Sequence, residues 1–315
     1  MNSIDRTAAR TVPAIAVVPA QVALRTLKLI AGITVIGPFL GTLLALALAW
    51  RNGVSPAALW IFAVMFPLTA LGISVGFHRL FAHRAFSTSR WLRTTLLILG
   101  SMAMQGSLLY WVATHRRHHQ FSDTPDDPHS PHYAGPKQLG YWGGLWHGHI
   151  AWMFASEVSN AARFCPDILR DGAIFRLQKR YLLWVGLGLA LPAVAGLAAS
   201  GTWYGALEGF LWGAAVRLLV VHHAYWAVGS LSHLRGSRRF ETRDRSANNY
   251  LVALISFGEG LQNNHHAFPT SARHALRWFE PDVAGWVIGL AERTGLVWDV
   301  KHPSPAQIAH KLLPN

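Results

Sequence analysis

The sequence predicts an all-α integral membrane protein: four transmembrane helices in two hairpins, with a cytoplasmic helical cap that carries a histidine-rich metal site. Three observations predict it. The 315 residues are 51% hydrophobic and only 14% charged, whereas a soluble domain carries about 25% charged residues. Long uncharged stretches alternate with short polar turns. Seventeen histidines are present, yet none precedes His78. One cysteine, Cys165, excludes a disulfide framework, a Cys-ligated zinc site and an intrinsic iron–sulfur cluster.

Residues 1–26 hold Arg6, Arg10 and Arg25 around a broken Ala/Val/Pro run, and are expected to form a cytoplasmic N-terminal tail. Residues 27–315 are expected to form one domain. Its spans fall at about 29–50 and 57–77, joined by a turn with Gly53 and Pro56, and at about 182–199 and 210–229. Each approaches the ~20 residues that cross ~30 Å of hydrocarbon. Residues 87–110 are interrupted by Arg90, Arg93, Ser101, Gln105 and Ser107, and read as an interfacial or core helix. Four spans put both termini on one side. Residues 78–180 carry twelve Lys and Arg while the hairpin turns carry only Arg51, so the positive-inside rule makes the central segment cytoplasmic. Topology thereby accounts for much of the net charge of +13. No aromatic-and-basic nucleic-acid pattern competes with it.

The histidines come in clusters: His78 and His83; His115, His118 and His119; His265 and His266; and His233 after the last span. In a helix His115, His118 and His119 project from one face. A lone histidine is ordinarily a surface or satisfied core residue, which is the expectation for His132, His147, His274, His302 and His310. The clusters exceed that expectation. Imidazole suits Zn, Cu, Fe and Ni, and eight clustered imidazoles exceed the needs of a four-coordinate zinc. The count suits two metal ions. His222 and His223, inside the fourth span, are either a packed pair or further ligands.

The motifs GFHRLFAHRAF (76–86), HRRHHQFSD (115–123) with DPH (127–129), and GEGLQNNHHAFP (258–269) resemble the membrane fatty acid desaturases. They are most similar to the acyl-CoA (stearoyl-type) Δ9 branch, from about residue 30 to the end. The resemblance implies an all-histidine di-iron centre. One iron would be held by His78, His83, His115, His119 and His266. The other would be held by His118, His233 and His265, plus the position of Gln262. Here the chain departs from the pattern, since the family has His where Gln262 stands and often Asn where Gly229 stands. Gln262 binds through its amide oxygen, or orients a water while His222 or His223 completes the shell, or marks a degenerate site.

Asp127 and Glu259 are the expected carboxylate partners of the imidazoles, with His129 and Asn264 beside them; Asp123 and Asp126 read equally as surface acids or helix caps. An acyl tunnel lined by Trp111, Trp146, Trp152, Tyr225 and Trp226 is expected, although such residues also form interfacial belts. Arg217 either anchors a polar group or pairs with a backbone carbonyl. The implied reaction is O2-dependent desaturation of a fatty acyl chain carried on coenzyme A, acyl carrier protein or phospholipid. Electrons must come from outside, since the chain has no dinucleotide fingerprint, cysteine cluster or haem-binding stretch. The family's donors are ferredoxin, rubredoxin or a cytochrome b5-like protein with its reductase. Arg79, Arg84, Arg90, Arg93, Arg116 and Arg117 offer a basic face for such a carrier, or for phosphate groups. The alternatives are a related di-iron hydroxylase or acetylenase, or a non-catalytic metal-binding membrane protein. A bacterial inner membrane is the expected location.

Overall fold

Apolar helices that pack through small residues build the membrane part of the structure, a computed structural model that describes residues 14–314. The first hairpin joins α1 (Gln21–Asn52) to α2 (Pro56–Ala82). Then come α3 (Arg90–Met102), α4 (Leu108–Phe121) and α5 (Tyr141–His149). The second hairpin joins α6 (Tyr181–Ser200) to α7 (Trp203–Leu234). The chain closes with α8 (Tyr250–Ile255), α9 (Gln262–Ala267), α10 (Val283–Arg293) and α11 (Pro305–His310). Helices α1, α2, α6 and α7 are each long and apolar enough to cross a membrane. On α1, Leu29, Ile33, Ile36, Phe39, Leu40 and Leu43 stay exposed on the protein surface, as lipid-facing residues would.

The helices outrun the expected spans. At 1.5 Å per residue, the 27 residues of α2 and the 32 of α7 reach about 40 and 48 Å, beyond the hydrocarbon thickness. His78 and His233 stand near the ends of these two helices. At the opposite end the two hairpin turns meet. Ser55 caps α2 and its N–H donates to Glu208 Oε1 at 3.2 Å, while Asn52 Nδ2 donates to Tyr204 Oη at 3.0 Å.

Three expectations change. The helix expected over residues 87–110 is two helices, broken where Met104 and Gly106 take positive φ and Ser107 caps α4. The tail expected over residues 1–26 lies outside the described residues up to residue 13. Its described part is ordered: Ala16 and Val17 pair antiparallel with Ser159 and Val158, and α1 already begins at Gln21. Arg217 donates to the carbonyls of Gly213, Met102 and Gly188 at 2.7–3.0 Å. It fastens α7 to α3 and α6 and is fully buried, away from the cavity.

The α6–α7 contact depends on missing side chains. A Cβ at Gly209 would lie 2.3 Å from the carbonyl oxygen of Pro192 and 3.0 Å from the Cα of Gly196. Without a hydrophobic drive between helices in lipid, this backbone-to-backbone approach supplies the packing. Gly209→Ala is expected to lower the melting temperature in detergent, by an overpacking cost of about 1–3 kcal/mol. Gly186→Ala, where a Cβ meets nothing within 4 Å, should leave it unchanged or raise it, because Ala is the better helix former. Equal melting temperatures for the two variants would contradict the close contact.

Candidate metal centre

Four elements deliver the clustered histidines. Residues five apart in an α-helix point about 140° away from each other. The last stretch of α2, Gly72–Ala82, is instead a wide π-helix. At its end the His83 N–H donates to the His78 carbonyl at 3.0 Å, an i→i+5 bond of the kind found at functional sites, and both imidazoles turn inward. Helix α4 supplies His115, His118 and His119. The end of α7 supplies His233, and α9 supplies Gln262, His265 and His266.

They gather in two adjoining groups. His78, His83, His115, His119 and His265 form the first; His118, His233 and His266 form the second. In the first group, His83 Nε2 is 2.7 Å from His115 Nε2, and His265 Nε2 is 3.0 Å from His78 Nε2 and 2.9 Å from His119 Nε2. Ligands at right angles around one ion, with bonds of about 2.1 Å, stand about 3 Å apart. In the second group, Nε2 of His118, His233 and His266 and Oε1 of Gln262 are all buried with no hydrogen-bond partner. Buried polar atoms rarely go unsatisfied without a reason, and a bound cation would satisfy the three grouped imidazoles.

The assignment of His265 and His266 must be exchanged relative to the expectation. Neighbours on a helix point about 100° apart, so α9 splits the pair between the groups. His265 faces His78 and His119, while the His266 ring lies 5.1 Å from those of both His118 and His233.

Carboxylates fix the tautomers. A carboxylate only accepts, so each partnered Nδ1 donates and leaves the Nε2 lone pair for a metal. His118 donates to Asp127 at 3.0 Å and His233 to Asp123 at 3.0 Å; His78 donates to Glu259 and His266 to Asp244. Burial alone would raise the carboxyl pKa values. The His233 pairing nonetheless holds Asp123 down to about 2, and Asp127 and Asp244 are also lowered by His118 and His266. Burial, followed by the surrounding charges, pushes His83, His115, His119 and His265 well below the usual histidine value, and brings His266 to about 4. These imidazoles are therefore neutral, the form that binds metal. Behind Glu259 stands Arg79, fully buried, which donates to Glu259 at 3.3 Å, Asp282 at 2.7 Å and the Ala272 carbonyl at 3.0 Å. Four carboxylates thus face the eight imidazoles, and the one guanidinium behind them is shared with Asp282. Divalent ions would offset that charge.

Sequence reasoning missed two members of this shell. Asp244 lies in a loop with no motif around it. His274, expected to be ordinary, is buried with its Nε2 unpartnered, 4.4 Å ring to ring from His265, in a group with His78 and Glu259. Asp123 partners His233 and is no surface acid; Asp126 offers its carbonyl to Arg117. Asn264 joins Asn248, Glu280 and the His274 carbonyl and touches no imidazole of the groups through these bonds. Among the described residues, His222 and His223 join no potential metal group. His222 donates to the Ala103 carbonyl at 2.9 Å and stacks on Trp226, and His223 pairs with His149 at 3.0 Å. Much of the expected basic face is neutralised by ion pairs within the chain. Arg79 is buried, Arg84 and Arg116 pair with Asp167, Arg93 with Asp171, and Arg117 with Glu157.

A cavity of about 420 Å³ opens beside both groups, reached by His78, His115, His118 and Gln262. Trp111, Trp152, Tyr225 and Trp226 line it, together with Leu27 and Ile30 of α1. Trp146, 60% exposed, does not, and neither does Arg217.

Residues 54–287 match the family described as fatty acid desaturase. The chain is 43% identical over 278 residues to the hex-5-enoyl-[acyl-carrier protein] acetylenase of Moorena producens, covering 88% of this chain and 87% of that protein. It is 38% identical to the sn-1 stearoyl-lipid 9-desaturases of Anabaena variabilis and Synechocystis sp.. Those matches cover 79% and 76% of this chain, and 86% and 70% of the relatives.

Asp244→Asn is expected to weaken one metal site about 10–100-fold and leave the other intact, since outer partners of ligating imidazoles carry effects of that size. Metal content measured against free metal concentration checks it. Unchanged affinity at both sites would contradict the pairing of Asp244 with a ligand.

Proposed function

The chain belongs to the fatty acid desaturase family, and from that premise we propose that it introduces a double bond into a saturated acyl chain at a pair of iron ions. It is a multi-pass membrane protein and an enzyme of fatty acyl oxidation. The observation that carries the finer reading is the set of unpartnered Nε2 atoms converging beside the cavity. In this reading His78, His83, His115, His119 and His265 hold one iron. His118, His233 and His266 hold the other, with the Gln262 amide oxygen as a weaker, harder fourth donor.

When bound, the irons supply the redox chemistry that couples reduction of O2 to removal of two hydrogens from adjacent methylenes. The balance requires two further electrons and two protons, giving two waters. An external one-electron carrier of the ferredoxin, rubredoxin or cytochrome b5-like class supplies the electrons. The protein's residues set the conditions. Glu259, Asp127, Asp123 and Asp244 hold the imidazoles in one tautomer. Trp111, Trp152 and Trp226 give the acyl chain an apolar path past them and keep water away. The twelve Lys and Arg of residues 78–180 support a cytoplasmic metal site and an inner-membrane location. The names of the cyanobacterial relatives favour a lipid-linked chain with a Δ9 position.

The 43% identity with an acetylenase, together with Gln262 and Gly229, favours a second reading, in which an existing double bond on an acyl carrier protein-linked chain is oxidised to a triple bond. Expression in a bacterial host with a donor system, followed by acyl profiling by mass spectrometry, separates them. The first reading predicts new monounsaturated chains that disappear with His266→Ala. An alkyne formed only from an unsaturated precursor would establish the second, and an added hydroxyl would contradict both.

A further inference from the structure

Beside the second histidine group, one imidazole has no assigned task. A Cβ at Gly229 would lie 3.2 Å from His129 Nδ1, so the His129 ring occupies the space that a side chain on α7 would fill. The ring stacks on His118, with centroids 4.3 Å apart and planes inclined by 26°. Its backbone N–H donates to Asp127 Oδ1 at 3.1 Å, while the other oxygen of Asp127 accepts from His118. His129 Nδ1 is buried and unpartnered, and Asp127 Oδ1 is too distant at 4.0 Å to satisfy it. His129 groups with His118 and Asp127 as a potential ligand, and it lines the cavity alongside Gly229 and Gln262. A neutral imidazole has one ring nitrogen that accepts a hydrogen bond. Near-parallel stacking aims its in-plane lone pairs away from the point that His118 Nε2 faces. A direct bond to the same ion does not fit that geometry, but a hydrogen bond to something the ion holds does.

We infer that His129 is a positioning residue of the second metal group: its ring orients His118, and its free Nδ1 holds a water bound to the second ion. The inference rests on the two-iron reading. It also explains how a site with glutamine at 262 and no side chain at 229 keeps its ion in place.

The test uses full-length protein loaded with ferrous iron in detergent. Iron per chain, Mössbauer spectra and the rate of iron release to a chelator are recorded. Wild type is expected to hold two irons. His129→Ala should retain the first, which also reports that the variant folded, and hold the second about 10–100-fold more weakly. In the double variant His129→Ala/Gly229→Asn, the new amide projects into the vacated space and should restore the second iron. Gly229→Asn alone collides with the ring and should weaken it. A wild type with two irons, together with a His129→Ala variant that keeps both with unchanged spectra and release, would overturn the inference alone. That result combined with altered acyl affinity would make His129 a substrate contact instead. Loss of the second iron without recovery in the double variant would make its role merely structural and would also overturn the inference. A wild type that holds fewer than two irons would overturn the underlying reading.

Discussion

The structure depends on keeping eight imidazoles and four carboxylates together in a buried space. Carboxylates removed from water cost several kcal/mol each unless paired, and each of the four is fixed by an imidazole N–H. The bond from His266 to Asp244 neutralises no charge, since burial brings that imidazole down to about 4. Arg79 compensates part of the charge, but Asp282 shares it. The remaining charge and the unpartnered Nε2 atoms point to the same remedy, a pair of divalent cations. Metal binding and folding are then coupled, because the site without ions is electrostatically unfavourable.

That requirement explains why the helices extend past the hydrocarbon. A charged centre must sit outside the apolar slab, yet next to it, so that an acyl chain can reach it from the lipid side. The length of α2 and α7 allows both conditions, and the π-helical end of α2 adds the rotation that aims His78 and His83 the same way. Arg217 shows the complementary solution within the membrane. Its charge is spread over three backbone carbonyls that link α3, α6 and α7.

Much of this was legible in the sequence. The four spans stand out because hydrocarbon thickness fixes their length. The eight clustered histidines stand out because helical spacing and motif context mark them. The split of His265 and His266 between groups was not legible, because adjacent residues differ only by the phase of a six-residue helix. Asp244 and His274 were invisible for a different reason: they reach the centre through loops whose path is set by tertiary contacts. The arginines misled in the opposite direction. Their number reports topology, but Arg79, Arg116 and Arg117 are spent on internal ion pairs, and only the fold reveals those partners.

The central claim is that two ions sit in the two histidine groups as the structure divides them. Anomalous scattering from crystals of the iron-loaded protein, recorded on both sides of the iron absorption edge, tests it directly. The account predicts two iron peaks: one among the Nε2 atoms of His78, His83, His115, His119 and His265, the other among those of His118, His233 and His266. A single peak, or two peaks with His265 and His266 exchanged between them, would contradict it.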